Sequence, residues 1–231
     1  MIPIRDINPT RRFAVVTALV IIVNCAVYLY EVLLGADAAE SFVAVYALIP
    51  RALFMAHPVH PGVPVAVTVV TSMFLHGGLL HLAGNMLYLW IFGNNIEDAM
   101  GRIRFIVFYV LCGAIAAFCH AAANAASTVP MIGASGAISG VLGAYLMLYP
   151  RARVQTLLIL GFFIRTVEVP AMVVLGFWFL LQFVNAAVSS GAGQGVAWFA
   201  HIGGFVAGIV LIGPFKSRQV PFGLRKRDDE S

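Results

Sequence analysis

Charge is what this chain lacks most. Its 231 residues carry 14 Lys and Arg and 10 Asp and Glu, so 10% are charged. A soluble domain carries roughly a quarter, and this scarcity excludes an ordinary soluble fold. The surplus of +4 forms no basic patch interleaved with aromatics, which sets nucleic acid aside as a partner. Cysteine is scarce too. Cys25, Cys112 and Cys119 all fall in apolar stretches, as small buried hydrophobes and not as a disulfide framework. No His-Glu-x-x-His helix, Walker-type glycine loop or dinucleotide fingerprint occurs, so neither a metal nor a cofactor is expected. No internal repeat of 20 to 50 residues is visible.

What fills the chain instead is apolar sequence, 61% by composition. Each membrane span needs ~20 such residues, and six can be drawn: 13–34, 79–94 (or earlier), 105–124, 132–149, 169–188 and 196–215. The expected fold class is all-α, a polytopic bundle of six transmembrane helices. It divides into a tail at 1–12, a six-span domain at 13–215 and a basic tail at 216–231. Arg11 and Arg12 before the first run resemble a signal sequence, but the run to Leu34 is long enough to span and reads as a retained helix. The connection between the first two spans holds Pro50, Pro58, Pro61 and Pro64 among apolar residues, and is expected to lie on or dip into the membrane surface. With both termini inside, every Lys and Arg except Arg51 falls on the inner side. That asymmetry gives the orientation. The expected location is a multi-pass protein of a bacterial inner membrane with cytoplasmic termini, in contact with lipid.

The orientation aligns several polar residues at one depth. Spans two, four and six all run inward. His81, Asn85, Ser135 and His201 fall early in them, within roughly 10 Å of the outer end at 1.5 Å rise per residue. Polar groups inside a membrane are costly, so they face one another or a watery cavity. Serine and histidine together suffice for nucleophilic catalysis, because imidazole can take the hydroxyl proton and return it to a leaving group. Ser135 lies between Ala134 and Gly136, with Gly133 just before, at a helix start whose free N–H groups can hold an oxyanion. His81 and Asn85 are four apart, on one face, and both can donate. His76 is placed nearer the outer water, where it would help hold a catalytic water. Each feature also has a plain structural reading. Gly136 and Gly140, and Gly204 and Gly208, have the spacing of close-packed helices, and a buried His often bonds a backbone carbonyl. Of the acidic residues only Glu31, Asp37 and Glu40 fall near the outer surface, and none of them is in span two, four or six, so a Ser-His dyad is expected in place of a triad. His57, His60, His76, His81, His120 and His201 could alternatively line a transporter or bind metal, but no carboxylate accompanies them within a span.

These residues resemble the rhomboid family of intramembrane serine proteases. The matching stretches are His76-x4-His81-x3-Asn85, Gly133-Ala134-Ser135-Gly136 and Ala200-His201-x2-Gly204-x3-Gly208, with Glu97 sixteen residues after His81. The resemblance implies Ser135 as nucleophile and His201 as general base. It implies oxyanion stabilisation by Asn85, His81 and the Ser135 N–H, and support from His76, Gly133, Gly136 and Gly204. It further implies a peptide-bond hydrolase that acts on transmembrane protein substrates without a cofactor. The rival expectation is a catalytically silent relative that binds transmembrane helices. Nothing in the sequence fixes the oligomeric state. Two departures stand out. An aromatic four residues after the nucleophile, stacked on the histidine in many bacterial relatives, is replaced by Ser139, with Tyr145, Phe183 and Trp198 as possible substitutes. The family's Trp-Arg pair in the first outer loop is also missing, the nearest arginine being Arg51.

Overall fold

A computed structural model of the chain describes residues 2–54, 63–160, 163–188 and 197–223. His57, His60, Val196 and the basic residues Arg225, Lys226 and Arg227 lie outside the described residues. The expected helical bundle is present. Helix α1 covers Val15–Leu33, α4 Leu79–Tyr88, α6 Arg102–Ala123, α7 Ser135–Leu148, α8 Ala171–Val188 and α9 Trp198–Phe215. Helices α1, α6 and α9 are each long and apolar enough to cross a membrane, while α7 is a shorter apolar helix and α8 an apolar helix of 18 residues. Helix α4 continues through a π turn at Leu89–Gly93 into α5, Asn94–Met100.

The connection after α1 is itself largely helical. It forms α2 (Ala36–Tyr46), a 3-10 turn at Pro50–Phe54, α3 (Val65–Thr71) and a 3-10 turn at Ser72–Phe74. The α3 segment meets α4 at a bend of 86°. Leu48 and Met131 exchange backbone hydrogen bonds of 3.2 and 2.8 Å, and the Arg51 N–H donates to the Ser127 carbonyl at 3.0 Å. Main-chain bridges of this kind anchor the loop that lacks the Trp-Arg pair.

A three-stranded antiparallel sheet was not anticipated. Its order is β1 (Ile2–Asp6), β2 (Arg153–Leu160), β3 (Phe163–Pro170). Residues 2–6, read from the sequence as part of a tail, pair along β2. The fifth apolar run therefore starts as strand and becomes helix only at Ala171.

Glycine sets the tightest contact. A methyl group at Gly204 would strike the Gly136 carbonyl, and one at Gly208 the Gly140 carbonyl. Helices α7 and α9 therefore meet backbone to backbone, as small-xxx-small spacing permits in lipid. The opposite end is fixed by Glu97. Its buried carboxylate accepts the N–H groups of Val16 and Thr17 at 3.0 and 2.8 Å and the Thr17 hydroxyl at 2.8 Å. Those N–H groups belong to the first turn of α1, which has no intrahelical acceptor for them and carries partial positive charge. Phe92, Phe105, Phe108, Leu142 and Tyr145 fill the core between these anchors.

Candidate active site

Ser135 is the first residue of α7 and His201 the fourth of α9. The glycine contact between these helices brings the Ser135 Oγ to 2.7 Å from His201 Nε2. The α7 ladder begins with the bond from the Ile138 N–H to the Ala134 carbonyl at 3.0 Å. The N–H groups of Ser135, Gly136 and Ala137 precede it and stand at the positive end of the helix.

Gly133 has a φ of +116°, a conformation glycine adopts without the clash of a Cβ. A Cβ here would lie 2.8 Å from His81 Nε2 and 3.6 Å from Asn85 Nδ2. The chain entering α7 thus runs directly beside the His81–Asn85 face of α4. The Asn85 amide donates to His76 Nε2 at 3.0 Å, which leaves a second hydrogen on the same nitrogen. His76 is 3% exposed and is not among the residues lining the cavity. Its ring packs 5.1 Å from that of His81. The expectation that it helps hold water for the serine is therefore corrected: His76 borders a separate open cavity beside Glu31 and Gly78, and its hydrogen bond is with Asn85.

A cavity of about 360 Å³ joins these groups, lined by His81, Asn85, Ser135, Trp178, Gln182 and His201 among others. It is open enough to admit water and polar enough to retain it. Of the suggested ring partners for His201, only Trp198 is close, edge-on at 6.1 Å. Tyr145 sits near the other end of α7, where its hydroxyl bonds Asp6, and Phe183 is 59% exposed. The ring that lies against His201 is Trp178 on α8, at 5.8 Å and 40°. The Ser139 hydroxyl turns back to the Ser135 carbonyl at 2.6 Å and takes no part in holding the imidazole.

Two residues at this site escaped the sequence reading, Trp178 and Gln182. Gln182 Oε1 lies 2.8 Å from His201 Nδ1. The available signal was a polar side chain inside an apolar span, four residues after a tryptophan and so on the same face. Among the described residues, no group of three or more His, Cys, Asp or Glu is arranged to hold a metal ion.

Such a fold, a membrane bundle with a hydrogen-bonded serine and histidine at the mouth of a polar cavity, defines a class of intramembrane hydrolase-like proteins. The family profile described as Rhomboid domain matches residues 65–218, and the chain belongs to the rhomboid family. It is 31% identical over 163 residues to "Rhomboid protein 1, mitochondrial" of Saccharomyces cerevisiae, covering 67% of this chain and 43% of that protein. It is 36% identical over 142 residues to "Rhomboid protease GluP" of Bacillus subtilis, covering 60% of this chain and 24% of that protein. It is 33% identical over 142 residues to "RHOMBOID-like protein 6, mitochondrial" of Arabidopsis thaliana, covering 62% and 41%. The chain thus spans less than half the length of these relatives. Family membership and the apolar helices make this an integral membrane protein; the mitochondrial names of two of these relatives give no support to the expected bacterial inner membrane.

Proposed function

We propose that the chain is an intramembrane serine endopeptidase that cuts transmembrane segments of other membrane proteins. The observation that carries this reading is the 2.7 Å contact between Ser135 Oγ and His201 Nε2 inside an open polar cavity. His201 Nε2 takes the Ser135 proton as Oγ attacks the scissile carbonyl. Negative charge then develops on the carbonyl oxygen. Asn85 Nδ2, the His81 ring and the free N–H groups at the start of α7 surround the place where that oxygen forms, and such fixed donors lower the barrier most when water is scarce. His201 next protonates the leaving amine. Cavity water, activated by the same imidazole, hydrolyses the acyl-enzyme and restores the hydroxyl.

Family membership and the printed name of the Bacillus relative support protease chemistry. The substrate class follows from where the site lies: a nucleophile within the bundle meets chains that are themselves in the membrane. On this reading the cut falls near the face opposite most of the basic residues, and the N-terminal strand, Lys216 and Arg218 lie on the other side. The test is cleavage of a reporter transmembrane protein in reconstituted vesicles. Wild type is expected to cut it and Ser135→Ala to leave it intact. Cleavage that survives Ser135→Ala would refute the protease reading. Binding of the reporter by wild type without any cleavage would favour the silent helix-binding scaffold.

A further inference from the structure

Resting on the Ser135–His201 reading, we infer that Gln182 is a positioning residue for His201, selecting the tautomer in which Nε2 is free to accept the serine proton. Two hydrogen bonds carry this. Gln182 Nε2 donates to the Trp178 carbonyl one turn earlier at 3.3 Å, and Gln182 Oε1 faces His201 Nδ1 at 2.8 Å. The first decides the second. A carbonyl oxygen only accepts, so the amide nitrogen must face Trp178 and the amide oxygen must face the ring. An oxygen at Nδ1 in turn requires the proton on Nδ1, because neutral imidazole carries one donor and one acceptor nitrogen. The lone pair then lies on Nε2, toward Ser135. The opposite amide orientation would set two oxygens against each other at Trp178 and leave Nε2 protonated, unable to take the hydroxyl proton.

Position and burial fit this role. Gln182 is 7% exposed and lies in an otherwise apolar turn of α8, where an amide is retained only with partners. Trp178, on the same face, covers the imidazole. One helix therefore supplies both the ring contact and the Nδ1 partner of the general base. When the Ser135 proton moves to Nε2, the ring becomes cationic with both nitrogens as donors, and the Nδ1–H bond to Oε1 strengthens. The same proton later leaves with the amine and the neutral tautomer returns. A further consequence is that any displacement of α8 from α9 releases the imidazole, so the position of α8 governs whether the pair is competent.

The test is reporter cleavage across pH by wild type, Gln182→Met, Gln182→Glu and Ser135→Ala. Methionine keeps the length without an acceptor, and glutamate keeps the acceptor and adds charge. Gln182→Met is expected to lose roughly tenfold or more in kcat with KM within about twofold, as removal of an interaction used in the transition state requires. Gln182→Glu is expected to retain activity and to move the acidic limb of the kcat/KM profile to higher pH, because a carboxylate favours the imidazolium. The ionisable neighbours of His201, His81 on α4 and His120 on α6, are the same in every variant. A merely packing role predicts full kcat in Gln182→Met, and that result overturns the inference. So does a Gln182→Glu enzyme that is as slow as the methionine variant with an unmoved limb, which also decides the matter if the methionine protein does not fold. Wild type that cleaves no better than Ser135→Ala overturns the protease reading and this inference together.

Discussion

At the scale of single residues, the site rests on positions where one atom more or less decides the outcome. Asn85→Ala removes an N–H aimed at the cavity, and loss of one oxyanion donor typically costs ~10²–10³ in rate. The expected outcome is a protease slowed by that factor with the Ser135 hydroxyl still reactive, read by single-turnover cleavage. Gly133→Ala is expected to be more damaging than its size suggests. Its φ is +116°, and the new methyl group would meet His81 Nε2 at 2.8 Å. Activity should fall at least as far as in Asn85→Ala, while Gly84→Ala, where nothing lies within 4 Å, should not suffer a comparable loss. The same assay checks both. Much of this site was legible in the sequence. Polar residues in apolar runs stand out, and topology put Ser135, His201, His81 and Asn85 at one depth. Gln182 was legible only as a polar residue in an apolar span; that it faces His201 depends on the rotation of α8 about its axis, which hydropathy does not encode. His76 falls in the 86° bend before α4, against Asn85 and outside the Ser135 cavity, a placement that hydropathy does not announce.

At the scale of elements, two devices hold the helices at the registers the site needs. One is the glycine seam between α7 and α9. Gly208→Ala would force a methyl group into the Gly140 carbonyl, and overpacking of this kind typically costs about 1–3 kcal/mol. Gly176→Ala on α8 meets nothing within 4 Å and should be neutral or slightly stabilising, since alanine is the better helix former. Thermal unfolding in detergent compares the two. The other device is the Glu97 carboxylate under α1. Glu97→Ala strands the buried N–H groups of Val16 and Thr17, each worth about 1–3 kcal/mol when left unpaired. A fall in unfolding midpoint with α1 fraying first, seen by hydrogen exchange at Val16 to Ala18, is the expected result. The apolar helices were readable because runs of apolar residues mark them in the sequence, even where the helix itself, as in α7, is shorter than a full span. The sheet was not: β2 and all but the end of β3 fall in the connection left between the fourth and fifth runs, and the partner of β2 lies some 150 residues away in β1.

At the scale of the whole molecule, the sheet is tied to the serine helix at the end farthest from Ser135. The Tyr145 hydroxyl donates to Asp6 at 2.9 Å, and burial pushes the Asp6 carboxyl up to about 6, although the bond from Tyr145 pulls the other way. A carboxyl raised in the folded state binds its proton more tightly there than when unfolded. Its contribution to stability is therefore full below the unfolded value of about 4 and is lost as pH rises through about 6. Asp6→Asn mimics the neutral form. The variant is expected to unfold at a higher temperature than wild type at pH 7, and the two are expected to converge only below the unfolded value of about 4. A gap that widens on acidification would contradict the placement of Asp6. The two ends of α7 thus have separate tasks, one joining the bundle to the sheet and the other presenting a hydroxyl to an imidazole. The most direct test of that second task is covalent labelling by a fluorophosphonate, with the adduct located by mass spectrometry. The account predicts a single adduct on Ser135 that disappears in His201→Ala; no adduct, or an equal one without the histidine, would contradict it.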